Sequence, residues 1–598
     1  MTAPPNKPLQ RQALIALAFI VAAFLIHALA INNPFLIDDH SAIKQHPDVQ
    51  EVAGGLRLWT HHYWQGSPSL DDQLYRPVTV FSFWLSQRLT PDSAAGFRAL
   101  NIFLLAAIAL CVVSWLKRYT GPLPALLAGA LFLVHPANTE AINHLVGRAD
   151  LLAVVGVVGF LALQARAQEQ GWSYPAIAGA AAFALIALGS KESGLALIPC
   201  VIAQGWIGTR DTSSTTPTPS SCRKAGVQAT DEANPRLAAE ASATAQDADK
   251  RSTCQTARGV CPKRALFLAL FLPAALYLAA RLAVVGLPAG YAPATDDLTG
   301  NPLRGVGFVE RIDSVAHVAG WYTKQLIWPS TTYNHTPGFY FRPELVQRPY
   351  PTRWGPGILM LLGGAVYVWL VTAIARKWKK RSTVLAPIIF FLAHLIIVGH
   401  LLTVTGAYAA NRLTLATTAA GAMLLGLFIA ALMKKTTVMR SAIAIVMLAV
   451  VLAFAFLTAR ANRAWSSELA RMHADVQADD EDPIALYWLG QAQLDYDTDA
   501  AVSHLKRAHA LAPQSNQAAA ALADALLATG DDRAAWRLYD KLLTHNAPLL
   551  DQQRTNAAMA AFNTGRYEQA QTILRSLPDD LARPIREALE QVQGVEPD

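Results

Sequence analysis

Apolar runs separated by short polar connections dominate residues 13–459 of this chain. Most of the runs approach the ~20 residues that a helix needs to cross the hydrocarbon core of a membrane. The pattern predicts about eleven spans, at 13–31, 97–116, 123–134, 145–163, 174–189, 194–207, 264–285, 357–375, 384–403, 413–433 and 442–459. We therefore predict an all-α fold, a polytopic membrane helical bundle, and we interpret the first run as a retained anchor.

Three long polar segments interrupt this pattern. Residues 32–96 and 286–355 are predicted to form the first and second outside loops, and residues 209–263 are rich in Ser, Thr, Ala and Pro. The latter composition is typical of a disordered linker. Basic clusters at 117–118, 376–381 and 434–440 follow apolar runs, and such clusters mark the cytoplasmic side. The alternation predicts a cytoplasmic tail at 1–12, a cytoplasmic insert at 209–263 and a non-cytoplasmic C-terminal part.

The C-terminal part has a different pattern. After a connector at 460–482, residues 483–592 are alanine-rich and read as soluble helices. Turn sequences recur near the 34-residue spacing of TPR helix pairs. We predict a TPR-like α-solenoid, with an ordinary helical bundle as the alternative. Stacked helix pairs present an extended concave binding surface, so we expect this part to bind a protein acceptor or partner.

Composition supports the membrane interpretation. The chain of 598 residues is 53% hydrophobic and 16% charged, whereas soluble domains carry about 25% charged residues. The net charge of +7 reads as a topology signal, because Lys and Arg cluster between apolar runs; we predict no nucleic-acid partner. The five cysteines have neither metal-site nor disulfide spacing.

The stretch PFLIDDH at 34–40 places Asp38 and Asp39 directly after the first apolar run. A carboxylate beside the hydrocarbon boundary is costly unless it is hydrated, paired or used. The pair is therefore either a functional motif or a solvated turn at a helix end.

Other ionisable residues also collect in the predicted outside connections. Four cations come from four different connections: Arg76, Arg148, Lys191 and Arg412. If they converge, they form a phosphate-binding cluster, since charge-assisted contacts to phosphate are strong. Taken singly, each would more commonly snorkel or pair with a carboxylate.

Glycosyl transfer from a polyprenyl-phosphate sugar to a hydroxyl uses these parts together. The lipid tail needs a groove between membrane helices, and the phosphate needs Arg or Lys. One carboxylate must take the proton of the attacking hydroxyl. Of the two aspartates, one would be this base, while the other orients it or helps to hold a divalent cation such as Mg²⁺ or Mn²⁺.

Several motifs resemble those of a known family. They are IDDHSAIKQHPDV, LYRPVTVFSFWL, VHPANTEAINHLVGRADLLA, SKESG and KQLIWPSTTYNH, together with the C-terminal repeats. The chain resembles the transmembrane-and-TPR-repeat-containing O-mannosyltransferases, which are multi-span enzymes of the GT-C class, and their bacterial relatives. The resemblance implies a bacterial inner-membrane enzyme that transfers a sugar such as mannose to Ser or Thr of a translocated protein.

The resemblance also assigns roles to individual positions. It implies a catalytic motif at Asp38 and Asp39, with Asp38 as the base. The implied donor- and substrate-binding positions are Arg76, His135, Glu140, Arg148, Asp150, Lys191, Glu192, Tyr333, Asn334 and Arg412. One stretch departs from the family pattern, because AANRLTLATTA keeps Arg412 but has Asn411 where the family has an acidic residue.

Two other functions stay open on the sequence alone. A non-catalytic membrane scaffold would use the repeats to recruit a partner. A transporter or flippase of lipid-linked sugars would be expected to carry inverted repeats and broken or charged mid-membrane helices.

Overall fold

The computed structural model describes residues 7–66, 74–208, 260–286, 311–329, 356–402 and 404–593, together with positions 298, 301, 303, 307–309 and 334–335. The predicted polar insert lies outside the described residues up to position 259, and Tyr333 lies outside them as well.

Helices dominate the described residues. Those of the membrane part are α1 (Lys7–Ile26), α2 (Pro47–Gln50), α3 (Gly54–Arg57), α4 (Pro77–Leu89), α5 (Ala94–Thr120), α6 (Pro122–Leu133), α7 (Thr139–Asn143), α8 (Arg148–Gln170), α9 (Tyr174–Ser190), α10 (Leu197–Gly208), α11 (Pro262–Leu266), α12 (Leu272–Val285), α13 (Ile312–Ile327), α14 (Pro356–Trp378), α15 (Leu385–Val398), α16 (Leu415–Met433) and α17 (Thr437–Asn462). Short 3-10 or π turns lie at Ala28–Ala30, His40–Lys44, Pro136–Asn138, Leu145–Gly147, Glu192–Ala196, Phe267–Phe271, Asn411–Thr414 and Arg463–Trp465.

The C-terminal helices are α18 (Glu468–Ala478), α19 (Pro483–Gln493), α20 (Thr498–Leu511), α21 (Asn516–Ala528), α22 (Asp532–Thr544), α23 (Asp551–Asn563), α24 (Tyr567–Leu574) and α25 (Asp579–Gln593). The only strands among the described residues, β1 (Asn334–His335) and β2 (Ala409–Ala410), pair antiparallel.

The described residues contain six helices long and apolar enough to cross a membrane, or up to seven if a bent pair counts as one span. Each predicted apolar run overlaps a helix, but the apolar segment Gln10–Ile26 of α1, α9 and α15 are shorter than a full span. The structure thus confirms an all-α integral membrane protein, and the count of about eleven spans stays a prediction.

The bent pair joins α6 to α7 at an angle of 49°. The bend lies at Pro136, which has no N–H to continue the helical ladder. Asn138 Nδ2 donates to the Phe132 carbonyl at 2.8 Å, and Ala137 N donates to His135 Nδ1 at 3.3 Å. Side chains therefore replace the backbone bonds that the break removes, and the end of α7 contacts Asn33, which follows the first apolar run.

The centre of the membrane bundle is the segment Leu145–Gln170, in which 94% of the most apolar 18-residue stretch is buried. Helices α5, α9 and α10 pack around it. Gly156 allows α9 to approach closely, because a Cβ there would lie 2.6 Å from the backbone nitrogen of Ala187. This buried helix fixes the positions of the connections at its N-terminal end.

Glycines also join α13 to α14. A Cβ at Gly320 would clash with the Leu359 carbonyl, and a Cβ at Gly363 would clash with the carbonyl of Ala316. Small residues at such crossings let two membrane helices pack backbone to backbone. By contrast, a Cβ at the neighbouring Gly364 meets no described residue within 4 Å.

We expect Gly363→Ala to lower the free energy of unfolding by about 1–3 kcal/mol, because the added methyl overpacks the crossing. Gly364→Ala is the matched control and should leave stability unchanged or slightly higher, since Ala favours helix. Thermal unfolding of the two variants in detergent micelles checks this difference. Equal melting temperatures for both variants would contradict the close crossing.

A knot of buried amides ties the start of the membrane part to its end. Asn33 Nδ2 donates to Asn143 Oδ1 at 2.9 Å, and Asn143 Nδ2 donates to Asn462 Oδ1, also at 2.9 Å. Asn462 Nδ2 returns to the Ile26 carbonyl at 3.1 Å, and His27 Nδ1 lies 3.2 Å from Asn462 Oδ1. Helix α17 is thereby held against the end of α1 and the segment that leads to the two aspartates.

The C-terminal helices pack in sequence, each against the next from α18 to α24. Asp482, Ser515 and Asp531 accept hydrogen bonds from backbone N–H groups at the starts of α19, α21 and α22, which caps those helices. Gly530 and Gly565 end helices with φ of 80° and 77°, a conformation that suits glycine. The result is a series of short helix pairs with an alanine-rich core that also contains Leu, Ile, Tyr and Trp.

Candidate functional site

The two aspartates lie in a tight turn, residues 36–40, which we call the acidic turn. Asp39 is fully buried. Its Oδ2 accepts from Leu36 N at 3.1 Å, and its Oδ1 accepts from Val146 N at 3.0 Å. Burial raises the pKa of Asp39 to about 7, although the backbone N–H groups oppose this rise. The Asp39 carboxylate thus closes the turn and fastens it to the segment before α8.

The neighbouring Asp38 has a different environment. Its side chain is 42% exposed, and it accepts no hydrogen bond from the described part of the chain. Its Oδ2 lies 3.8 Å from Nε2 of His144. The surrounding protein raises the pKa of Asp38 from its usual value, while the charges of Arg412 and Arg471 oppose the rise. Asp38 is therefore the carboxylate of the pair that is available to a ligand.

Arg412 contacts Glu140 through two groups. The guanidinium Nη1 donates to Glu140 Oε1, and the backbone N of Arg412 donates to Oε2 at 3.0 Å. The Glu140 side chain is 1% exposed, whereas that of Arg412 is 20% exposed. Asn411, which replaces an acidic residue of the family pattern, accepts a hydrogen bond from Gln325 at 2.5 Å. Glu140 therefore supplies the acidic partner that the sequence at 411 lacks.

Two further ion pairs come from the connection after α9. Arg76 Nη2 lies 2.7 Å from Glu192 Oε2, and Lys191 Nζ lies 2.8 and 2.7 Å from the two carboxylate oxygens of Asp150. Burial would raise the pKa of Glu192, but the charge of Arg76 brings it below its usual value. Both cations keep a small exposed fraction, 14% for Arg76 and 12% for Lys191.

Arg76, Lys191 and Arg412 lie in one neighbourhood. Burial lowers the pKa of Lys191, and the charges of Arg76 and Arg412 lower it further, while Asp150 opposes the shift. The charge of Arg412 also lowers the pKa of Asp38, against the larger effect of burial. Three of the four predicted cations thus share a region with the exposed aspartate.

Arg148 does not join them. It is fully buried and donates to Asn101 Oδ1 at 2.8 Å, to Ser86 Oγ at 2.9 Å and to the carbonyls of Ser82 and Phe97. Its guanidinium therefore joins α4, α5 and the start of α8.

His135 and Asn334 also occupy structural positions. His135 is buried at the α6–α7 bend, where its Nε2 lies 3.1 Å from the carbonyl of Leu326. Asn334 pairs through its backbone with Ala410, two residues before Arg412.

Several residues near Asp38 are absent from the predicted set. Tyr63 lies under Arg76, with its ring centroid 5.0 Å from the guanidinium carbon. His144 is buried, its Nε2 has no hydrogen-bond partner in the described part of the chain, and its ring stacks on Trp465 at 6.2 Å. Trp465, Glu468 and Arg471 come from the predicted connector. Their only sequence signal is a run of charged residues with a single Trp directly after the last apolar run.

The described residues contain no group of three or more His, Cys, Asp or Glu side chains that could hold a metal ion. Both oxygens of Asp39 already accept backbone hydrogen bonds. A divalent cation prefers several oxygen ligands, and Asp38 alone does not supply them. A Mg²⁺ or Mn²⁺ ion held by the second aspartate, which is one of the two roles open on the sequence, therefore does not fit this turn.

No protein-family model matches the chain. Protein O-mannosyl-transferase F38B6.6 of Caenorhabditis elegans is 27% identical over 213 residues, or 34% of this chain and 30% of the relative. TMTC4 of Mus musculus is 32% identical over 167 residues, or 25% and 22%. Tmtc1 of Drosophila melanogaster is 33% identical over 189 residues, or 30% and 21%. The chain thus spans less than a third of the length of each relative. All three are named protein O-mannosyl-transferases, which is the family that the sequence motifs resemble.

Proposed function

We propose that the chain is a membrane glycosyltransferase of the GT-C type that moves a sugar, such as mannose, from a polyprenyl phosphate to a Ser or Thr hydroxyl of a protein. The observation that carries the proposal is the exposed carboxylate of Asp38 in the same region as three cations. The names of the partial relatives support the same activity. We place the reaction on the non-cytoplasmic face of a bacterial inner membrane, with the N-terminus in the cytoplasm.

Asp38 is the proposed general base. Its carboxylate takes the proton of the acceptor hydroxyl as the hydroxyl oxygen bonds to the anomeric carbon of the sugar. The bond between that carbon and the phosphate oxygen breaks, and its electron pair leaves with the phosphate. A positioned base contributes roughly 10²–10⁴-fold to such a step.

Arg76, Lys191 and Arg412 are the proposed phosphate ligands. A guanidinium has five N–H donors, and the bonds of Arg76 to Glu192 use its Nε and Nη2 groups. The bond of Arg412 to Glu140 uses Nη1. Each arginine thus retains donors for phosphate oxygens. The carboxylates of Glu192, Asp150 and Glu140 hold the three cations in place before the phosphate arrives, which is how preorganised charge stabilises a leaving group.

The C-terminal helix pairs are proposed to be a TPR-like solenoid that binds the acceptor protein. Their sequential packing supports this interpretation, because each repeat of a solenoid contacts only its neighbours. The connector directly contacts the acidic turn, through Glu468 and Ile37. An acceptor held by the repeats would therefore be tethered close to Asp38.

Purified full-length protein in liposomes tests the proposal. We expect it to transfer a labelled hexose from polyprenyl-phosphate mannose to Ser or Thr of a peptide pool, with the modified residues found by mass spectrometry. Other polyprenyl-phosphate sugars, offered separately, identify the donor sugar. Peptide binding without transfer from any donor would favour the scaffold, and movement of the donor across the bilayer without transfer would favour the flippase.

A further inference from the structure

Ile37, the residue before Asp38, has an unusual backbone conformation. Its φ is 50°, in the left-handed region that a β-branched residue rarely adopts. Strained positions of this kind persist only where the surroundings hold them, and they cluster at functional sites. Something must therefore hold the acidic turn in this conformation.

The surroundings of Ile37 come largely from the connector between the last membrane helix and the repeats. The Ile37 backbone N donates to Glu468 Oε1 at 2.8 Å. The Ile37 side chain packs against the apolar cluster of Leu36 and Trp465, together with Ala464 and Ala474. Glu468 is the first residue of α18, and the same oxygen lies 3.9 Å from His40 Nε2. One carboxylate thus contacts the acidic turn on both sides of Asp38.

We propose that Glu468 is a positioning residue for the base: it holds Ile37 in the left-handed conformation and so fixes the direction in which Asp38 presents its carboxylate. Without this acceptor, the Ile37 N–H has no partner in the described part of the chain, and the turn can relax to a conformation with negative φ. Relaxation at position 37 rotates the following residue away from the neighbourhood of Arg412 and Lys191. The role assigned to Glu468 rests on the proposed function.

Two substitutions separate the hydrogen bond from the charge. Glu468→Ala removes the acceptor, and we expect kcat for sugar transfer to fall at least tenfold, with KM for the lipid donor within threefold of wild type. Glu468→Gln keeps a side-chain carbonyl in the same place, and it should retain kcat within threefold. A loss as large in Glu468→Gln as in Glu468→Ala would overturn the proposal, because the charge would then matter rather than the clamp.

A double-mutant cycle with Ile37→Gly tests the link to backbone strain. Glycine adopts positive φ at no steric cost, so the turn no longer needs a clamp. We expect Glu468→Ala to reduce kcat less than threefold further in the Ile37→Gly background. An equal loss in both backgrounds would overturn the proposal in favour of a general structural role of the connector.

A control variant and an exchange measurement distinguish a specific effect of Glu468 from general damage to the connector. Asp480→Ala is the control, because Asp480 lies in the same connector, is 77% exposed and faces Arg507 rather than the acidic turn; it should leave kcat unchanged. Hydrogen–deuterium exchange of residues 34–44 should accelerate in Glu468→Ala and not in Asp480→Ala, and unchanged exchange would overturn the clamp. This readout needs no enzymatic activity, so an inactive wild-type protein would count against the proposed function alone.

Discussion

Asp38→Asn lowers kcat for sugar transfer by about 10²–10⁴-fold, the range expected when a general base is removed. The amide keeps the size of the side chain but does not accept the hydroxyl proton. KM for the lipid donor should change little, because the proposed phosphate ligands are other residues. Steady-state transfer in liposomes measures both constants.

The matched control is Asp313→Asn, which neutralises an exposed carboxylate at the start of α13 and should retain full activity. The pH profile adds a second criterion. Because a base must be ionised, kcat/KM falls as the pH falls through the pKa of Asp38, which the surrounding protein raises above its usual value. A wild-type profile without an acidic limb, or an active Asp38→Asn variant, would rule out the assignment.

Glu140→Leu should lower the free energy of unfolding by about 3–5 kcal/mol, because removing one partner of a buried ion pair leaves the other uncompensated. Arg412 loses its contacts to both Glu140 oxygens, through its side chain and through its backbone N. The double substitution Glu140→Leu with Arg412→Leu should recover much of that stability, since apolar replacements of a buried pair are often neutral. The double variant should nevertheless stay inactive, because it lacks a phosphate ligand.

SDS-induced unfolding in mixed micelles, run beside the transfer assay, checks both parts. Asp92→Asn is the comparison, because it removes an ion pair with Lys44 whose partners are 60% and 36% exposed; exposed pairs of this kind contribute little. If the single and double variants unfold at the same SDS fraction, Arg412 is not the group that needs Glu140.

The membrane helices are predictable because a span must be apolar over most of its length. Helix α5 contains the predicted run 97–116 and continues through Lys117 and Arg118, where the chain leaves the apolar environment but keeps its backbone bonds. The bend after α6 is harder to predict. It depends on Asn138 reaching a carbonyl six positions earlier, a contact with no signal in hydropathy.

The candidate site was harder to predict than the fold, because its pairs join distant segments. Arg412 and Glu140 are 272 positions apart, so the missing acidic neighbour at Asn411 reads as a loss although the partner is present elsewhere. Arg148 is the reverse case, because its sequence position suggests a site residue but its contacts are made inside the helix bundle. An arginine at the start of an apolar run is expected to face the outside connection, but its acceptors at Asn101 and Ser86 belong to two other helices.

The difference between the two aspartates likewise follows from three-dimensional contacts. Asp38 and Asp39 are identical residues in nearly the same sequence context, so the hydropathy pattern does not distinguish them. Asp39 accepts a hydrogen bond from the backbone N–H of Val146, which lies 107 positions away in the sequence.

The amide knot around Asn462 also sets an order on biogenesis. Chains are made from the N-terminus, and early segments fold first during synthesis. Asn33 and Asn143 enter the membrane long before Asn462, yet both donate to it. Arg98 of α5 can already hold the carbonyls of Ile31, Asn33 and Pro34 at that stage. Until α17 and the connector are made, however, Asn33 lacks its contact with Asn462 and the acidic turn lacks its contact with Glu468. The turn that carries Asp38 is thus translated early but matures late.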